Sequence, residues 1–158
     1  MILGMIPVRC YRFIEGKLHS RADIRKRAEN EIAQLESAWA GATGTQAPAL
    51  GNSTGGGKSG RHDRLEQSVI RLMEARERCG EDAQWVLVFN TLDAEWPEGT
   101  LMRDITDMLY DQHLRQTDVI NQLGVSRRTV RGRRDAYVIR AAMLASAAGL
   151  IGEELLHD

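Results

Sequence analysis

The sequence predicts an all-α protein: an N-terminal amphipathic helix, a flexible Gly-rich linker and a C-terminal helical domain with a helix-turn-helix. Three observations carry this. Apolar residues recur at spacings of three and four over long stretches, which is the helical period. Aromatic residues make up 5% of the chain and prolines number three, a composition that leans away from sandwiches and barrels. No segment alternates apolar with polar residues as a half-buried strand does.

The first element spans residues 8–40. Cys10, Ile14, Leu18, Ala28, Ile32, Leu35 and Trp39 fall on one face of a single predicted helix, with Arg21 and Arg25 interrupting the stripe. Arg21, Arg25, Lys26, Arg27, Glu29, Glu31 and Glu36 charge the other faces. Such a helix packs on its own domain or pairs with a second copy. A clean coiled-coil seam does not carry two arginines, which favours the first.

Residues 41–60 read as the linker. They hold seven glycines, no aromatic residue and the tract Gly-Asn-Ser-Thr-Gly-Gly-Gly-Lys-Ser-Gly, a composition that cannot bury enough apolar surface to offset its ordering entropy.

Residues 61–152 read as the helical domain. Leu65, Val69, Leu72 and Met73 stripe a first helix that Gly80 is expected to end. Trp85, Val86, Val88, Phe89 and Leu92 make a second, stopped by Trp96-Pro97 and Gly99. Thr100 is placed to cap a third, which carries Leu101, Ile105, Met108, Leu109 and Tyr110. A short helix from Thr117 to Leu123 ends at Gly124. Ser126 then caps a long helix reaching about Gly149, and the tail from Glu153 is expected to fray.

Composition narrows the function. The chain has 158 residues, 17.7 kDa and a formal net charge of −1, one domain by length. A near-neutral sum argues against a protein that coats nucleic acid over its whole surface, yet leaves room for a local basic site. Cys10 and Cys79 are far apart and read as free thiols, and the four histidines share no i, i+3 or i, i+4 pairing, so no metal site and no cofactor are expected. No run approaches the ~20 apolar residues of a membrane helix. Residues 1–8 are apolar but short and lack a cleavage pattern, so no signal peptide is expected. Met5 serves equally well as a start, and a cytoplasmic location follows as the expectation.

Two segments imitate catalytic sites. Gly55-Gly56-Gly57-Lys58-Ser59 resembles a phosphate loop, but Asn52 stands where that loop needs its first glycine, and no strand precedes the tract. Glu74, Glu77, Glu81 and Asp82 interleave with Arg71, Arg76 and Arg78 as a solvated helix face does. Neither supports an enzyme.

The stretch from Gln116 to Arg134 is the informative one. Val119, Ile120 and Leu123 share a face of the short helix. Gly124 suits a tight turn that needs positive φ, Val125 tucks beneath it, Ser126 caps the next helix, and Val130 returns to the core. A supporting helix, a glycine turn and a recognition helix over about 116–140 make a helix-turn-helix pattern. Ser126 to Arg134 contains Arg127, Arg128, Arg131, Arg133 and Arg134 and no acid, whereas residues 62–111 carry an excess of acids. Arginine's planar fork bonds bidentately to guanine or to phosphate. Arg127, Arg128 and Arg131 are the candidates for base contacts. Ser126, Thr129 and the helix N-terminus are candidates for phosphate, Arg133 and Arg134 are expected to bind phosphate or to pack by their stems, and Thr117 is a further DNA-binding candidate.

At these residues the chain resembles sigma-70 region-4-like helix-turn-helix domains, and more closely phage transcriptional regulators of the ArpU/RinA type. Leu123-Gly124-Val125-Ser126-Arg127-Arg128-Thr129-Val130 matches the turn and the start of the recognition helix. Tyr110 matches the tyrosine common upstream of such motifs, with Leu109 where an arginine usually stands. The specific likeness runs from about Leu109 to Tyr137. The order of zones extends it over most of the chain. The resemblance implies a phage or prophage regulator of late, packaging or lysis genes, with Ser126, Arg127, Arg128, Thr129 and Arg131 facing DNA.

The expected function is therefore sequence-specific binding of double-stranded DNA in transcription regulation, in a bacterial host cell or its nucleoid. One helix-turn-helix makes a small footprint, so a second copy or RNA polymerase is the expected helper. Two competing functions use the same residues: a helical interaction protein whose arginines meet an acidic partner, and a small-terminase-like DNA-packaging adaptor.

Overall fold

The computed structural model describes residues 6–42, 70 and 80–157, and every regular element among them is a helix. The linker expected over 41–60 lies outside the described residues from 43 onward, as do Leu65, Val69, Leu72 and Met73 of the expected first helix and Cys79.

The N-terminal segment is two helices rather than one. α1 (Val8–His19) buries Cys10, Tyr11, Ile14 and Leu18, and Lys17 and His19 suit the negative end of its dipole. It stops at Ser20, whose N–H is shared between the Gly16 and Lys17 carbonyls at 3.2 Å. α2 (Arg21–Ala42) starts at once, with Ile24 N–H on the Ser20 carbonyl at 2.9 Å. The break redirects the chain so that Arg21, Ile24 and Ala28 face inward. Arg21 does not interrupt the buried stripe; it is part of it, with 1% of its surface exposed. From Glu29 to Ser37 no residue of α2 is fully buried, and Ile32 is exposed; the side chain of Trp39, placed on the expected stripe, lies outside those described.

Gly80 is helical and lies outside the positive-φ glycines, so it is no C-cap. It belongs to α3 (80–95), which buries Trp85, Val88, Phe89 and Leu92 at helical spacing. The stop comes at Trp96-Pro97 as expected, and Gly99 takes φ 89° in the following turn. Thr100 then caps α4 (Leu101–Thr106), accepting from the Arg103 N–H.

α4 runs into a π-helical turn, Asp107–Asp111, in which Gln112 N–H reaches the Asp107 carbonyl at 3.0 Å. This turn presents Asp107 and Asp111 together to Arg21. Arg21 donates twice to Asp111, at 2.6 and 2.7 Å, and once to Asp107, at 2.8 Å, while its third nitrogen reaches the Tyr137 hydroxyl at 3.0 Å. Arg103 extends the network to Asp107 and Asp93, and Arg25 closes it on Asp93. A buried arginine is tolerable only with its donors satisfied in this way. The network fastens α2 to α3, α4 and α6.

α5 (Gln116–Leu123) and α6 (Arg127–Ala147) complete the core. α6 is its axis, in contact with α1, α4 and α5. Val119, Val130, Tyr137, Val138, Ala141 and Ala145 share one cluster with Cys10, Ile14, Phe89 and Ile105. α1 is therefore built into the same core as the C-terminal helices. After Gly149, at φ 73°, the tail does not fray: Ile151 is buried, and α7 (Glu153–Leu156) packs on α1. Leu155 supplies an apolar contact that a purely acidic tail would lack.

Candidate nucleic-acid interface

The site is built on the turn between α5 and α6. Gly124 adopts φ 64°, ψ 29°, the left-handed conformation that suits glycine, and its N–H closes α5 on the Ile120 carbonyl at 2.9 Å. Val125 packs partly into the core. Ser126 Oγ accepts from the Thr129 N–H at 3.1 Å and lies 2.9 Å from Thr129 Oγ1. Both hydroxyls are thus engaged in capping. Val119 and Val130, each fully buried, pin the two helices to the core.

On this frame the start of α6 is a basic surface. Arg127, Arg128, Arg131 and Arg133 are exposed. Among the described residues none of them has a carboxylate within ion-pair distance. The arginines of the scaffold behave differently: Arg21, Arg25, Arg27, Arg103 and Arg140 all meet acids. The acids of the 62–111 region that appear in these pairs neutralise those arginines and leave Arg127, Arg128, Arg131 and Arg133 without an acidic partner among the described residues. The partial positive charge of the α6 N-terminus adds to the same surface.

Arg134 is set apart from its neighbours. It turns toward α1, its guanidinium carbon 5.7 Å from the Tyr11 ring centre and its Nε 3.7 Å from Glu15 and 3.6 Å from Asp135. Those separations are ion-pair contacts too long for hydrogen bonds. Burial works against the Arg134 charge, yet Tyr11, Glu15 and Tyr110 outweigh it and hold its pKa above the ordinary value. Next to it the Tyr11 hydroxyl donates to Asp135 at 2.7 Å. Burial first, and then this bond, raise the Tyr11 pKa. Of the residues singled out from sequence, Ser126, Arg127, Arg128, Thr129, Arg131 and Arg133 are brought together. Thr117 is exposed on the neighbouring α5, and Arg134 serves the α1–α6 contact.

The sequence pattern missed Arg115. It is exposed at the N-cap of α5, where its N–H is held by Asp118 Oδ2 at 3.3 Å, and no acid pairs with its guanidinium among the described residues. Its position one residue before Gln116 was the available signal. Next to it, His113 takes φ 54°, and its ring stacks on His19 with centroids 5.8 Å apart. His19 also meets the Tyr110 ring edge-on at 4.9 Å.

No group of three or more histidine, cysteine or acidic side chains is disposed to hold a metal among the described residues, and no helix among them is long and apolar enough to cross a membrane. Comparison of the chain with protein-family models, with curated proteins and with solved structures gives no match.

Proposed function

We propose that this protein binds double-stranded DNA and acts as a transcription regulator, with α5 and α6 forming a helix-turn-helix. The observation that carries the proposal is the segregation of charge: Arg21, Arg25, Arg27, Arg103 and Arg140 are paired with acids, and among the described residues the four exposed arginines at the start of α6 are not. An uncompensated cluster of guanidinium groups on a rigid helix matches a polyanion, and a helix of this length with its N-terminus free fits the major groove.

In this account Arg127, Arg128 and Arg131 reach base edges, because they occupy the first turns of α6. Arg133, Arg115 and Thr117 bind phosphates on either side. The open N–H groups at the start of α6 add a phosphate contact, a role for which the engaged hydroxyls of Ser126 and Thr129 are less suited. Arg134 holds α6 against α1. The resemblance to phage regulators of the ArpU/RinA type is compatible with this assignment and adds late-gene control as its setting.

The test is a titration of a fluorescein-labelled random-sequence duplex over a range of salt. With about four to six phosphates neutralised, log K falls against log salt with a slope of about −4 to −5. Absence of duplex affinity at low salt rejects the function.

A further inference from the structure

We infer that α1 is a second phosphate-binding element, and that Arg9 and Arg12 on its outer side grip the DNA backbone next to the stretch entered by α6. The inference rests on the DNA-binding function proposed above and enlarges its footprint to a helix outside the helix-turn-helix.

Three observations lead to it. Arg128, Gly132 and Asp135 follow one another at i, i+4 and i+7 and so lie along one face of α6. The first two are exposed and the third lies beneath Tyr11, whose hydroxyl it accepts at 2.7 Å. α1 therefore covers the same face of α6 two turns beyond Arg128 and one beyond Gly132. A duplex lying against Arg128 and Gly132 has α1 as its neighbour.

The second observation is the charge of α1. Its inward groups are engaged: Glu15 faces Arg134, and Lys17 lies over the Phe13 and Trp85 rings at 5.5 and 5.4 Å. Its exposed positions are Val8, Arg9, Arg12, Gly16 and His19, with no acid among them. Arg9, Arg12, Gly16 and His19 recur at spacings of three and four, one outward stripe. Among the described residues neither Arg9 nor Arg12 has an acidic partner.

The third observation is continuity. His19, at the end of the stripe, stacks on His113, and Arg115 follows two residues later. The outer stripe of α1 thus leads through the His19–His113 contact to Arg115 and the helix-turn-helix, and Arg9, Arg12, Arg115 and the arginines at the start of α6, Arg127, Arg128, Arg131 and Arg133, have no acidic partner among the described residues. Double-stranded DNA presents phosphates at a spacing that such a series can follow over neighbouring turns.

The experiment compares salt dependence for four proteins on a random-sequence duplex: wild type, Arg9→Gln/Arg12→Gln, Arg127→Gln/Arg128→Gln and Arg140→Gln. Arg9 and Arg12 are exposed and have no acidic partner among the described residues, so their variant keeps the wild-type circular dichroism. Its log–log salt slope is expected to be shallower by about 1.5 to 2, with affinity about tenfold lower at moderate salt. Preference among duplex sequences stays unchanged, because phosphate contacts carry no sequence information. Arg140→Gln, whose charge Glu95 already cancels, leaves the slope at the wild-type value. A wild-type slope for Arg9→Gln/Arg12→Gln beside a reduced one for Arg127→Gln/Arg128→Gln overturns the role of α1 and leaves the helix-turn-helix standing. No duplex affinity in the wild type overturns both.

Discussion

Replacing Arg21 tests whether the scaffold beneath the basic surface is built as described. In Arg21→Met the aliphatic stem is kept and the guanidinium removed. Asp111 and Asp107 lose their partner, but their side chains are 41% and 34% exposed, so water reclaims them, and Asp107 keeps Arg103. Tyr137 has no such recourse. It is 1% exposed, and Arg21 is its hydrogen-bond partner. Burial pushes its pKa up to about 12 although the Arg21 charge pulls the other way. Stranding a buried hydroxyl costs about 1–3 kcal/mol, and the lost charge-assisted bonds to half-exposed acids add about 1 kcal/mol. The expected loss for Arg21→Met is therefore about 2–4 kcal/mol by urea denaturation. Arg21→Ala leaves a void as well and costs about 3–5 kcal/mol. A double-mutant cycle isolates the tyrosine. Tyr137→Phe costs about 1 kcal/mol in the wild type and restores about 1–3 kcal/mol in Arg21→Met, because there it removes the stranded hydroxyl. A loss below about 0.5 kcal/mol for Arg21→Met, the range of an ordinary surface change, refutes the buried network.

Two further outcomes follow from the same structure. Gly132 is helical, and a Cβ built on it meets nothing within 4 Å, so Gly132→Ala should raise stability by about 0.8–1 kcal/mol and Tm by about 2–4 °C; a fall in Tm means that the middle of α6 is not an open helical surface. Burial holds the His19 imidazole below its ordinary pKa, with His113 and Arg134 reinforcing the shift and Glu15 opposing it. The fold thus favours the neutral ring, whose contribution is complete above about pH 6.5 and declines as the pH falls through that value toward the lower folded pKa. The urea midpoint should drop between about pH 7 and about pH 5, and His19→Gln should show a smaller drop; equal drops for the two proteins count against the assignment.

The sequence was most informative where the signal is local. Pro97 stops α3, Thr100 and Ser126 cap the helices they precede, and Gly124 takes the positive φ its turn requires, because each effect is decided within three or four residues. It was least informative where a side chain's environment comes from distant chain. Arg21 reads as solvent-facing by type, yet Asp111, its partner, lies 90 residues further on. The same holds for Arg134, whose composition matches its neighbours but whose position on α6 turns it toward Glu15. The break at Ser20 has no glycine or proline to announce it. It coincides with the point from which Arg21 reaches the two aspartates of the π turn, a contact that local sequence does not reveal. For the candidate site, the arginines of α6 were legible as a cluster. That Arg127, Arg128, Arg131 and Arg133 have no acidic partner among the described residues, while Arg21, Arg25, Arg103 and Arg140 do, emerges only when the acids are placed.

The most direct test of the central claim is selection from a random duplex library by the wild-type protein beside an Arg127→Ala/Arg128→Ala/Arg131→Ala variant. The expected result is an enriched sequence motif for the wild type and its loss in the variant, which keeps its helical circular dichroism because all three side chains are exposed and have no acidic partner among the described residues. No motif with the wild type, or the same motif with both proteins, contradicts the assignment of α6 as the helix that reads DNA.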